Sequence, residues 1–92
     1  MTQSQRLERA EVLVDVFLEA GWTVPSDVRD PHGDVWFIAY SPKDHDIAQI
    51  AVERNGVISV LGLNPPTSSK KAAVSVLRAA GLEDWLATHE TL

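Results

Sequence analysis

Asn55-Gly56 stands between two apolar runs, Ile47 to Glu53 and Val57 to Leu63, and is the strongest hairpin signal in the chain. A two-residue hairpin loop of the mirror-image type needs positive φ at both central positions. Asn and Gly tolerate that conformation better than other residues. Upstream, Val35-Trp36-Phe37-Ile38-Ala39-Tyr40 is β-branched and aromatic, which is strand chemistry. The polar stretch Ser41-Pro42-Lys43-Asp44-His45-Asp46 joins it to the hairpin. Asn64-Pro65-Pro66 then breaks the sheet. The middle of the chain therefore reads as a three-stranded antiparallel meander.

Helices flank it. From Ser4 to Ala20 the apolar positions Leu7, Ala10, Leu13, Val14, Phe17 and Leu18 recur at helical spacing. Gly21 followed by Trp22, and Gly81 followed by Leu82, read as Schellman-type stops. Thr67 or Ser69 is positioned to cap a second helix that runs to Ala80. Leu82 to Ala87 forms a short final turn or helix carrying Trp85 and Leu86. Between Thr23 and Asp34 the chain is turn-rich, and Val24 to Val28 adds at most a short irregular strand because of Pro25. The expected fold is α+β in the order α-β-β-β-α plus a short C-terminal helix. Residues 1–92 make a single domain, with a single-layer antiparallel sheet of three strands, or four with Val24 to Val28, and two helices on one face.

The two-residue loop would place Val52 opposite Ser59, Ile50 opposite Leu61 and Ala48 opposite Leu63. That face is apolar and meets the helices. Ile47, Gln49, Ala51, Glu53, Ile58 and Val60 fall on the other face. The first strand is apolar on both sides, with Val35, Phe37 and Ala39 against Trp36, Ile38 and Tyr40. A sheet wet on one side alternates apolar and polar residues, so this strand needs cover on both faces. The C-terminal segment with Trp85 and Leu86, a second copy, or another protein could supply it. The expectation is a small interaction module without enzymatic activity. It binds a protein partner or forms a homodimer through Trp36, Ile38, Tyr40, Ile58 and Val60.

Composition narrows the alternatives. The 92 residues carry a net charge of −5, so the bulk field disfavours nucleic acid and anionic membrane as partners. With no cysteine there are no disulfides or thiolate sites. No apolar run is long enough to span a bilayer, and Met1 to Gln5 lacks the order of a secretory signal. A cytoplasmic location is expected. Arg outnumbers Lys, and Ala, Val and Asp are abundant, which suits a GC-rich bacterium or its phage, where a compact acidic protein would serve as a regulator or inhibitor.

Candidate sites are few. Glu8, Glu11, Asp15 and Glu19 form a stripe along the first helix, read as a solvated face ahead of a DNA-like row of charges. Asp30, His32 and Asp34 cluster before the first strand, and Asp44, His45 and Asp46 after it. An extended strand of that length separates the clusters by roughly 23 Å, so they cannot share one ion, and no metal or cofactor is expected. Ser68 and Ser69 have no evident His partner. Lys70 and Lys71, in the first turn of the second helix, would suit a docked anion.

The order helix, three strands, helix resembles the double-stranded-RNA-binding domain over roughly residues 7 to 82. Pro42-Lys43-Asp44-His45 lies in the loop where that family carries a Pro and a His. Ser69-Lys70-Lys71, followed by Ala72-Ala73, matches its lysine-bearing helix start, and Asp15 lies roughly where its first helix often places an acid. The resemblance implies phosphate contacts through His45, Lys70 and Lys71. The family's third lysine falls at Val74, and Asn64-Pro65-Pro66 replaces the usual glycines. Domains of this type that lose RNA contacts often serve in protein interaction or dimerisation.

Overall fold

The computed structural model describes residues 1–25, 28, 34–43 and 45–87. Helix α1 spans Gln3–Glu19, and strands β1, β2 and β3 span Val35–Tyr40, Ile47–Val52 and Ile58–Asn64. Helix α2 spans Pro66–Ala79, and a 3-10 turn follows at Glu83–Trp85. The strands form one antiparallel sheet in the order β1-β2-β3. Both helices pack on the same face of it. The α+β architecture expected from the sequence is the one observed. The expected fourth strand over Val24 to Val28 lies partly outside the described residues; beside it Thr23 bridges Tyr40 through hydrogen bonds of 2.9 and 2.8 Å.

The ends of α1 follow from its sequence. Thr2 and Gln5 form a capping box, each side chain accepting from the other's backbone N–H. At the far end the Trp22 N–H returns to the Phe17 carbonyl at 2.9 Å and the Gly21 N–H to that of Leu18 at 3.0 Å. Leu82 and Gly81 repeat that pairing with Leu77 and Arg78 after α2. Trp22 is thereby laid edge-on against Phe17, with ring centres 5.1 Å apart, and Phe17 meets Phe37 of β1 in the same manner at 6.0 Å. This aromatic trio joins helix to sheet at one end of the core.

The α2 start differs from expectation. Neither Thr67 nor Ser69 caps it; the helix begins at Pro66, behind Pro65. Proline suits that position because its missing N–H would lack a helical partner anyway. Ser69 is fully buried, and its hydroxyl donates to the Pro65 carbonyl at 2.6 Å. Lys70 and Lys71 therefore sit one turn deeper than the first turn, where the helix dipole has faded.

The hairpin also departs from expectation. Its loop holds three residues. The Glu53 N–H donates to the Val57 carbonyl at 2.9 Å, and the Gly56 N–H donates to the Glu53 carbonyl at 2.8 Å. Gly56 takes the positive φ, +89°, while Asn55 accepts from the Val57 N–H through its side chain at 3.1 Å. This is a type I turn closed by a glycine bulge. The extra residue shifts the pairing by one, so that Val52 faces Ile58 and Ile50 faces Val60. A shift of one exchanges the faces of the whole strand.

Candidate interaction surface

The shifted register corrects the expected anchor set. Ile58 and Val60 lie on the helix side, 0% and 4% exposed, and belong to the core. The outer face instead shows Trp36, Ile38 and Tyr40 from β1, and Ile47, Gln49 and Ala51 from β2. From β3 it shows Ser59, Leu61 and the bulged Leu63. Trp36, Ile38, Tyr40 and Ile47 are half-buried, whereas Leu61 is 55% and Leu63 41% exposed. Not one of these side chains is charged. The polar side-chain atoms of these residues are those of Gln49 and Ser59, the Tyr40 hydroxyl and the Trp36 indole N–H.

Pairing arranges the face in rows across the strands. Trp36 lines up with Ala51 and Ser59, and Ile38 with Gln49 and Leu61. Tyr40 lines up with Ile47 at the end where β3 bulges. In the first row the largest side chain of the face stands beside two of its smallest.

The described C-terminal segment lies on the helix side and along the sheet edge. Trp85 packs beneath the Arg9 guanidinium, 4.1 Å from ring centre to its carbon. Leu86 bridges Ile58 in the parallel sense and enters the core, and the Ala87 N–H donates to the Ile58 carbonyl at 3.0 Å. Comparison with family models, curated proteins and solved structures finds no match. What the chain does must therefore be argued from its own geometry.

The remaining candidates divide. His45 is exposed, with φ +54°, in a loop closed by Ser41, whose N–H donates to the Asp46 carbonyl and whose hydroxyl accepts the Asp46 N–H. Lys71 is exposed and Lys70 half-buried. Because Ile47 pairs with Asn64, this loop and the start of α2 share one end of the sheet. Asp30, His32 and Asp44 lie outside the described residues. Among the described residues no three of His, Asp or Glu gather in a metal-binding arrangement, and no helix is long and apolar enough to cross a membrane. Glu8, Glu11, Asp15 and Glu19 are all exposed, as a solvated stripe should be. Arg6 and Arg9, on the same helix, turn inward instead. Arg6 is 5% exposed and donates to the Val52 carbonyl through Nε and Nη2, at 3.3 and 2.9 Å. Arg9 donates to the Gly56 carbonyl at 2.8 Å. Sequence reasoning missed both, since arginine on an amphipathic helix reads as solvated.

Proposed function

We propose that this chain is a non-enzymatic interaction module that pairs with a second copy of itself through the outer face of its sheet. The observation that carries the reading is the apolar outer face built by the register, whose strand rows hold no charged side chain. Two copies of a chain with net charge −5 repel at long range. A contact confined to the three strand rows brings no charged side chains together; Glu53, exposed at the hairpin end of the same face, stands at its edge. If the two-fold axis runs along β2, β1 of one copy lies over β3 of the other. Trp36 of one copy then lies over the small Ser59 of the other, and Ile38 over Leu61. An axis across the strands would instead set Trp36 against Tyr40, one large ring on another. Sheets pack face to face at about 10 Å, with strands within about 30° of alignment.

The size of the patch sets the strength. Three strands at about 4.8 Å and six residues at about 3.3 Å give a footprint of roughly 300 Å² in projection. That is below the roughly 800 Å² per partner of a standard interface, so the association is weak and reversible. Sedimentation velocity across the micromolar range tests it. The wild-type coefficient rises with concentration, Leu61→Glu stays at the monomer value, and Val12→Glu on the exposed side of α1 behaves as wild type. A wild-type chain that remains monomeric throughout overturns the proposal.

A second reading, duplex-RNA binding through His45, Lys70 and Lys71, is favoured by one observation, the shared end of the sheet that holds the β1–β2 loop and the start of α2. It requires a mobility shift at low salt that fades steeply as salt rises and disappears on reversing both lysine charges. No shift at low salt removes it.

A further inference from the structure

A groove of about 640 Å³ lies between β3 and α2, a size common to ligand sites. One wall is a stripe of α2, Thr67, Lys70, Lys71, Val74, Ser75 and Arg78, recurring at helical spacing. Val60, Leu61 and Gly62 of β3 form the other wall. The chain has 13 Asp and Glu against 8 Lys and Arg. Yet every charged residue lining this groove is a cation. The lining is therefore opposite in sign to the net charge of the molecule, which favours an anion in this groove.

The order along the stripe defines the anion. Lys70 and Lys71 stand towards one end, Val74 in the middle and Arg78 at the other. From residue 70 to residue 78 the helix rises about 12 Å. In an extended peptide, side chains two residues apart share a face, and those four apart stand about 13 Å from each other. The two spacings match. We infer that the groove binds an extended acidic peptide of the pattern acid–x–apolar–x–acid. One carboxylate meets Lys70 and Lys71, the other meets Arg78, and the central apolar side chain lies against Val74 and the β3 wall. The Thr67 and Ser75 hydroxyls offer hydrogen bonds along the same stripe. Arg78 also pairs with Glu83 at 3.4 Å, a partly exposed contact that a second carboxylate shares at little cost. The groove is a different surface from the self-pairing face, with Leu61 at the corner between them.

The test is a nitrogen-15 NMR titration of the full chain with acetyl-Glu-Ser-Leu-Ser-Glu-amide and with its Gln-Ser-Leu-Ser-Gln counterpart. The acidic peptide shifts the amides of Lys71, Val74 and Ser75 to saturation, and the neutral peptide binds about tenfold or more weakly. Lys71→Glu and, separately, Ser75→Glu each produce a similar loss; both positions are exposed, and an unchanged amide spectrum shows the fold intact. Three results overturn the inference: no saturable shifts, equal response to the two peptides, or shifts confined to α1 or the outer sheet face. Duplex RNA that moves these same amides where the acidic peptide does not assigns the cations to RNA and overturns it too. Because Ile38 lies on the self-pairing face and outside the groove, Ile38→Glu blocks self-pairing without touching either groove wall, and repeating the titration on that variant separates failure of this inference from failure of the dimer.

Discussion

The Arg9 guanidinium lies 4.1 Å from the centre of the Trp85 ring and at the same time donates to the Gly56 carbonyl at 2.8 Å. One side chain thus ties α1, the C-terminal turn and the hairpin loop together, and it holds Trp85 on the helix side. That placement leaves the outer face of the sheet without cover from Trp85 and Leu86. Arg9→Ala removes a cation–π contact and a charged hydrogen bond at a half-buried site. A loss of about 1–2 kcal/mol is expected, read from urea unfolding followed by tryptophan fluorescence. Arg9→Lys restores part of it, since an ammonium keeps the charge but lacks the planar fork that serves both contacts.

Arg6 is the more deeply placed of the two. Its double contact with the Val52 carbonyl fastens α1 to the end of β2. Arg6→Met fills similar volume but leaves that carbonyl without these donors, and is expected to cost about 2–3 kcal/mol. Glu8→Gln, on the solvated stripe two residues away, should change stability by less than about 0.5 kcal/mol. Equal losses from the two would mean that Arg6 is held no more tightly than a surface residue.

Two glycines should fail for different reasons. A Cβ on Gly62 would run into the backbone carbonyl of Pro66, where the first turn of α2 crosses β3, and neither segment can yield alone. Gly62→Ala should therefore cost on the order of 3 kcal/mol or more. Gly81 has open space around it, but its φ is +77°. Gly81→Ala should cost about 1–2 kcal/mol, from backbone strain alone. Paired thermal melts distinguish the two.

Much of the fold was legible because the signals were local. Helical spacing marked α1, the Gly21-Trp22 and Gly81-Leu82 stops fixed both helix ends, and Asn55-Gly56 placed the turn. The loop length was not legible from the dipeptide, because Asn-Gly serves both a two-residue loop and a three-residue loop with a glycine bulge. The error was confined to one residue and inverted one strand. The flanking pattern held the clue: Ser59 between Ile58 and Val60 points the hydroxyl outward and the two β-branched residues inward, as observed. The excess of apolar surface on β1 was correctly placed, since alternation in Trp36, Ile38 and Tyr40 needs no register. The groove was not legible, because its walls come from elements whose contact depends on the absence of a side chain at Gly62. Arg6 and Arg9 escaped notice because a long aliphatic stem lets a guanidinium reach backbone carbonyls that helical periodicity does not reveal.

The proposed dimer geometry has a consequence at the central row of the face, where sheet twist displaces partners least. The chain contains no cysteine, so any thiol introduced reports only on its own position. Ile38 pairs across β2 with the row of Leu61, and an axis along β2 lays Ile38 of one copy over Leu61 of the other. Mixing Ile38→Cys with Leu61→Cys and adding a short bis-maleimide should give the mixed cross-link well ahead of either homodimer, because only facing positions stand about 10 Å apart across two packed sheets. An axis across the strands predicts the reverse, since it stacks each strand on its own copy and favours the two symmetric products. Statistical yields of all three products would show that no defined face-to-face contact forms.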